Sequence, residues 1–271
     1  MSTSNTQVRI LESLDHAEFI DARFTKHRFP IHFHDTFVIQ LVTSGADWCC
    51  GSDLVANQGE LFVHFPFAAH TGGTLSDREL EYQAIYPSVK LFCELTGVDE
   101  CSVPVGGAVV SRDSRLVRIV SDAFVKCRES NSQAVIGKEL RQVFFAIMDQ
   151  LPERFENSNG DAHEPVLTQV TTKMIAAKRY LTANFFRDVS IAELSRVCNL
   201  SQYYLIRAFK HHFGITPRQF LISQRVAESK RLISSGASIA DAALRTGFAD
   251  QSHLTRNFKK ITSYSPGKFK N

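Results

Sequence analysis

The last third of the chain contains one stretch twice, and the copied positions are those that build a helix start, a helix core and a basic face. Ser190-Ile191-Ala192-Glu193 returns 48 residues later as Ser238-Ile239-Ala240-Asp241. Farther on the offset is 49: Gln202, Leu205, Arg207, Phe209, Lys210, Pro217 and Phe220 recur as Gln251, Leu254, Arg256, Phe258, Lys259, Pro266 and Phe269. One residue has been gained between the matched blocks, where a turn would sit. A repeat that keeps caps, apolar spacing and an Arg/Lys pair is one supersecondary unit used twice.

Capping residues mark the helix boundaries. Ser190-x-x-Glu193 reads as a capping box and Ser238-x-x-Asp241 as a shorter version. Thr216-Pro217-Arg218-Gln219 joins an N-cap, an N1 proline and a Gln at N3. Ser201 and Asp250 cap the second helix of each copy, and Ser265-Pro266 opens a last short one. The pattern predicts helices at about 167–184, 190–198, 201–213, 217–235, 239–246, 250–262 and 266–270. That makes two helix-turn-helix units, 190–213 and 238–262, joined by the long helix 217–235.

The second helix of each unit has an outward face suited to a major groove. Tyr203, Ile206, Arg207 and Lys210 lie opposite Leu205, Ala208 and Phe209; Gln251, Ser252, Thr255, Arg256 and Lys259 lie opposite Leu254, Phe258 and Ile261. Arg can pair in bidentate fashion with guanine and Gln with adenine, while Ile206 or the Thr255 methyl can meet thymine methyls. Charge agrees: from Val166 onward there are 17 Lys/Arg against 5 Asp/Glu, and before it 14 against 23. The basic part is a candidate polyanion binder and the acidic part is not. Residues Arg179, Arg218, Arg225, Lys230, Arg231, Lys260, Lys268 and Lys270 are expected mostly on phosphates or in solvent. The joining helix spans roughly 28 Å, against about 34 Å between successive major grooves on one side of B-DNA.

The first half has a different grammar. Phe37–Val42, Leu61–Phe65 and Leu80–Tyr86 are aromatic and β-branched, with Gly45, Gly51, Gly59, Gly72 and Gly73 between them. Strands over about 20–110 suggest an antiparallel barrel or sandwich. From Asp113 the period becomes helical, predicting a helix pair at about 113–129 and 132–151. The polar stretch 152–165 reads as a linker, giving domains at 1–151 and 166–271. No apolar run reaches the roughly 18 residues of a membrane helix, and the polar start MSTSNTQ lacks a signal-peptide core. Six cysteines without metal spacing suit reduced thiols in a cytoplasmic protein, with adjacent Cys49 and Cys50 facing opposite sides of a strand.

Ser238-Ile239-Ala240, the run Gly247–Lys260, Ser265-Pro266 and Phe269 resemble the signature of the AraC/XylS transcription regulators over about 100 residues. The resemblance implies two helix-turn-helix units on an asymmetric promoter site, usually activating transcription through RNA polymerase. The family's base-contact positions fall on Gln202, Tyr203, Ile206 and Arg207, and on Gln251, Ser252, Thr255 and Arg256. One departure is Ser263, where the family usually has glycine, as at Gly214 in the first unit; a left-handed serine there costs roughly 1–2 kcal/mol. More weakly, His32-x-His34, the glycine-bounded strands and Pro66-Phe67-Ala68-Ala69-His70 resemble the family's cupin-like effector domain. The following helices match its dimerising pair, and residues 1 to about 20 are available as an arm over the barrel. The fold class expected is therefore α+β: an N-terminal antiparallel, cupin-like β-barrel with a helix pair, then an all-α double helix-turn-helix.

The reading that follows is an effector-responsive regulator, not an enzyme, with promoter DNA and a small molecule as partners. His32, His34, Trp48, His70 and Tyr82 are the candidate effector contacts, and a homodimer is expected through Leu116, Phe124, Val143 and Ile147. Two alternatives stand beside it: a first half that senses nothing and only assembles, and a metal-dependent cupin enzyme fused to a DNA-binding module. Against metal, the carboxylate expected a few residues after the His pair is missing, since Asp35 points to the other face and Thr36–Gln40 holds no Glu. His64 fits a satisfied core histidine. No cofactor is expected, and neither effector nor target promoter is legible.

Overall fold

The computed structural model describes residues 4–50, 54–75, 79–153 and 169–270, and they belong to two compact units. Apart from its first two residues, the expected linker lies outside the described residues.

The first unit carries the strands Ser4–Leu11 (β1), Ala17–Thr25 (β2), Val38–Ser44 (β3), Ala46–Cys50 (β4), Leu54–Asn57 (β5), Leu61–His64 (β6), Thr71–Thr74 (β7), Glu79–Tyr86 (β8) and Ala108–Ser111 (β9). They pair antiparallel in two sheets, one ordered β1-β2-β8-β3-β6-β9 and the other β5-β4-β7. The expected antiparallel β domain is thus present, built as two sheets instead of one closed barrel. Helices Val89–Thr96 (α1), Ser114–Glu129 (α2) and Gln133–Gln150 (α3) accompany them.

Strand alternation sorts the larger sheet into two faces. β3 and β8 pair Gln40 with Ala84 and Val42 with Tyr82. Gln40, Tyr82 and Ala84 therefore point one way while Ile39, Leu41 and Ile85 point the other. The second set joins an apolar core with Leu91 and Phe92 of α1, Val120 and Phe124 of α2, and Leu140 and Phe144 of α3. Phe37 sits within it, its ring 4.8 Å from Phe92 and 6.1 Å from Phe144.

That core corrects the dimer reading. Leu116, Phe124, Val143 and Ile147 are all buried inside a single chain, with Phe124 edge-on to Phe19 at 5.4 Å. An apolar stripe at helical spacing looks the same whether a sheet or a second chain covers it. On α3 it is Val135 and Phe145 that stay exposed.

The chain start is also not an arm. β1 and β2 form a hairpin at the edge of the large sheet, with Val8 opposite Ile20. Arg9 clamps it to the end of α2, donating to the carbonyls of Cys127 (2.6 Å) and Ser130 (2.7 Å). Inside the region expected to be strand throughout lies α1, started by the Ser88 hydroxyl accepting from Leu91 N–H and stopped by left-handed Gly97.

The second unit is helical: Gln169–Ala183 (α4), Ile191–Cys198 (α5), Gln202–Phe213 (α6), Pro217–Ser234 (α7), Ile239–Arg245 (α8), Gln251–Thr262 (α9) and Pro266–Lys270 (α10). The repeat is visible in its turns. Asn199 and Gly247 both adopt left-handed backbone, φ 49° and 78°. The next residue closes each turn, Leu200 N–H to Ser195 C=O at 3.0 Å and Phe248 N–H to Ala243 C=O at 2.9 Å. Ser201 then caps α6 at once, whereas Ala249 precedes the cap Asp250 of α9, so Ala249 is the gained residue. Gly247 cannot be replaced cheaply, because a Cβ there would lie 2.7 Å from the Phe186 backbone.

α7 starts with a complete capping box between Thr216 and Gln219. It runs through the middle of this unit and buries Phe220, Leu221, Val226 and Ile233, along with the polar Ser223, Gln224, Arg225 and Ser229. Ser229 shares a hydrogen bond of 2.9 Å with Thr246 at the end of α8.

Candidate nucleic-acid interface and sensor site

Each helix proposed to read DNA is held at both ends. At the start of α6 the Ser201 hydroxyl accepts from Tyr204 N–H (3.3 Å), and at the start of α9 the Asp250 carboxylate accepts from His253 N–H (2.7 Å). Left-handed residues stop them, Gly214 at φ 72° and Ser263 at φ 69°. The inner faces bury Leu205 and Phe209 in α6, and Leu254, Phe258 and Ile261 in α9. Gln202, Tyr203, Arg207 and Lys210 are exposed, as are Gln251, Ser252, Arg256 and Lys259; Ile206 and Thr255 are half-buried. Arg207 is already organised: its Nη1 donates to the Tyr203 oxygen at 3.1 Å, and its guanidinium lies 5.5 Å from the centre of that ring. The matched position in α9 is Ser252, which offers no ring.

Two sequence readings change here. The Glu193 carboxylate does not close a capping box; it accepts from Arg187 and from the Tyr180 hydroxyl, both at 2.5 Å. Those two hydrogen bonds hold its acid well below the usual range, at about 2. Ser190 still caps α5 by accepting from Glu193 N–H. Arg225, expected on phosphate or in solvent, is buried. Its Nε donates to the Phe185 carbonyl (2.7 Å) and its Nη2 to that of Arg187 (2.8 Å), with the guanidinium 5.8 Å from the Phe248 ring. Arg225 ties the loop before α5 to the turn of the second unit, and burial lowers its pKa.

In the β domain the polar face of the large sheet holds groups that the sequence did not single out. Gln40 Nε2 donates to the Asp47 carboxylate at 2.6 Å, and Gly73 N–H donates to its other oxygen at 3.1 Å. Burial raises the Asp47 pKa to about 6 against these hydrogen bonds. Tyr82 and Tyr86, four apart on β8, are hydrogen-bonded to each other, and burial raises both phenols. Asp47 and Cys49 are buried on one face of β4; alternation puts Trp48 on the other, where the Arg28 guanidinium lies 5.7 Å from its ring centre. Asp47, not Trp48, is therefore the β4 side chain that shares a polar cluster with Gln40. Alternation over β4 alone shows which residues share a face but not which face is inside.

His32 is buried, its Nδ1 2.7 Å from the Pro30 carbonyl, and His34, His64 and His70 draw together in the β domain. The ring of His34 lies 5.3 Å from that of His70 and 5.2 Å from that of Tyr86, and His64 lies 4.4 Å from His70. Burial lowers the pKa of His70. Cys49, Cys93, Cys101, Cys127 and Cys198 are free thiols, and no described helix is long and apolar enough to cross a membrane.

Comparison with known proteins accounts for both units. Residues 16–156 match the family model of an AraC-like ligand binding domain, and residues 194–271 match that of a helix-turn-helix domain. The uncharacterized HTH-type transcriptional regulator YbfI of Bacillus subtilis (strain 168) is 27% identical over 245 residues, covering 88% of this chain and 86% of that protein. The HTH-type transcriptional activator RhaS of Enterobacter sp. (strain 638) is 33% identical over 88 residues, 32% of each chain. The fold resembles that of unsaturated fatty acid bound ToxT from Vibrio cholerae, with a TM-score of 0.55 at 12% identity over 99% of this chain and 94% of that one.

Proposed function

Since the chain belongs to the AraC family of transcription regulators, we propose that it activates transcription by laying α6 and α9 into successive major grooves of an asymmetric promoter site, under control of a small molecule held by its β domain. The observation that carries this reading is the matched pair of exposed basic faces. Arg207 and Lys210 on one helix return as Arg256 and Lys259 on the other, each helix fixed by an N-cap and a left-handed stop. α7, at 18 residues, is a rod of roughly 27 Å, suited to a groove-to-groove spacing of about 34 Å. Gln202, Tyr203, Ile206, Arg207, Gln251, Ser252, Thr255 and Arg256 meet base edges, while Lys210 and Lys259 meet phosphate or bases.

The β domain, taken as residues 1–151, is a sensor and not a catalyst. Its effector contacts are His32, His34, His70 and Tyr82, extended by Gln40, Asp47 and Tyr86. Trp48 belongs to the same reading only as a rim residue beside Arg28. A ligand acts there by binding two states of the protein unequally. The protein works in the cytoplasm as a homodimer, its contact surface taken from the exposed side of α3 around Val135 and Phe145, and RNA polymerase is the activator's protein partner.

Selection of sites from random duplex DNA by the full chain tests the proposal. Two short conserved blocks about one helical turn apart are expected. A single block, or binding without sequence preference, overturns it.

A further inference from the structure

Taking α6 and α9 as the base-contacting helices, as proposed above, we infer that they read their half-sites by different chemistry. α6 reads thymine through its C5-methyl group, beside a guanine taken by Arg207. α9 reads by hydrogen bonds that need no methyl.

The repeat itself separates what the two helices share from what they do not. Gln202, Arg207 and Lys210 return as Gln251, Arg256 and Lys259. Tyr203, Tyr204 and Ile206 do not return; Ser252, His253 and Thr255 stand in their places. The shared side chains are long donors that suit guanine, adenine or phosphate from either helix. A difference in base choice must therefore come from the unshared ones, and at each of those positions α6 has the larger carbon surface.

That surface is not used by the fold. Tyr203 is 70% exposed and Tyr204 46%, while the inner face of α6 already buries Leu205 and Phe209. Ile206, about one turn on from Tyr203, is half-buried. The matching surface of α9 is small. Ser252 is exposed and offers a hydroxyl. His253 is turned back, its Nδ1 accepting from Ala249 N–H at 3.4 Å and its ring edge-on to Phe248 at 5.2 Å. Thr255 brings a single methyl beside a hydroxyl.

The major groove determines what an outward apolar face can find. Its base edges are hydrogen-bonding groups, and the thymine C5-methyl is the apolar group among them. The Tyr203 ring and the Ile206 side chain thus gain from thymine what the other bases do not offer. The tyrosine keeps its polar end in use, since its oxygen accepts from Arg207 Nη1 at 3.1 Å. The Nε and Nη2 edge of Arg207 is then the one to present to guanine O6 and N7. Its guanidinium lies 5.5 Å from the ring centre, between one and two steps of the roughly 3.4 Å base rise. The α6 half-site accordingly holds a guanine with a thymine one or two positions away.

The test uses the full chain and the duplex that site selection returns. Thymines of one block are replaced by deoxyuridine, which removes the methyl and keeps the pairing, and the same is then done in the other block. Arg256→Ala identifies the α9 block by relaxing it. Uracil in the α6 block should weaken binding about fourfold for each contacted methyl, and uracil in the α9 block less than about twofold. Tyr203→Ser combined with Ile206→Thr, which gives α6 the side chains of α9, should abolish the α6-block effect. Fluorescence anisotropy reads every step. An α6 block without thymine, uracil tolerated in both blocks, equal losses in both, or a loss that persists in the double variant overturns the inference and leaves two-block binding standing. A site without two blocks removes it together with the reading of α6 and α9 as base-contacting helices.

Discussion

Arg207 lies along the side chain of Tyr203, with its Nη1 3.1 Å from the phenolic oxygen and its guanidinium 5.5 Å from the ring centre. Stacking restricts a long side chain before DNA arrives, so less freedom is lost on binding. Arg256 faces Ser252 at the equivalent position and is not pre-set in this way. Arg207→Ala and Arg256→Ala should each cost about 1–3 kcal/mol at the cognate site and relax one base position. Tyr203→Leu should weaken binding less than Arg207→Ala and add little to it in the double variant. Fluorescence anisotropy with site selection measures both, and full additivity of the two substitutions would separate Tyr203 from Arg207.

Arg225 makes the opposite point, that a basic residue in a basic domain need not touch nucleic acid. It donates to the carbonyls of Phe185 and Arg187 from a buried position on α7. Arg225→Met keeps the apolar stem but leaves both carbonyls without that donor, a loss of roughly 2–4 kcal/mol. Thermal unfolding of the full chain should show the drop. Unchanged stability with weaker DNA binding would return Arg225 to the phosphate-contacting set.

What was legible in the sequence follows from how local each determinant is. Ser201, Thr216, Ser238 and Asp250 act within three residues, so the helix starts of the second unit could be read directly. The capping boxes read at two of them do not close: Glu193 is drawn to Arg187 and Tyr180, whose approach depends on tertiary packing, and the Asp241 carboxylate accepts from Arg245 one turn on. Asp47 and Gln40 do not stand out in the sequence because a short strand shows its alternation but not its inner face. Leu116 and Phe124 read as a dimer seam because burial against a sheet and burial against a second chain write the same helical stripe. The hairpin β1–β2 is not legible in the sequence because its pattern gains meaning only beside β8.

The two left-handed stops and turns of the repeat give a paired stability test. Ser263 sits at φ 69°, so Ser263→Gly relieves a strain of about 1–2 kcal/mol, offset in part by glycine's extra freedom when unfolded. A net gain of up to about 1 kcal/mol is expected. Gly247→Ala meets both a left-handed backbone and a Cβ placed 2.7 Å from the Phe186 backbone, and should lose roughly 2–4 kcal/mol. Urea unfolding of both variants checks the pair; equal effects of the same sign would mean that neither turn is strained as described.

The β domain carries its own pH signature in Asp47. Burial raises this carboxyl to about 6, above an ordinary value near 4. The folded state then holds the proton more tightly than the unfolded one. Its stabilising contribution is complete below about pH 4, declines as pH rises through 6, and is absent above. The difference amounts to about 3 kcal/mol for a group this buried. The neighbouring phenols of Tyr82 and Tyr86 stay protonated throughout, since burial raises both. Asp47→Asn removes the ionisation while Gln40 can turn its amide to present an oxygen to the new donor. The variant should therefore be more stable than wild type at pH 7.5, by about 1–3 kcal/mol, with the advantage vanishing near pH 4.5. Urea unfolding at the two pH values reads the difference, and an offset that does not change between them would show that Asp47 does not titrate in this window.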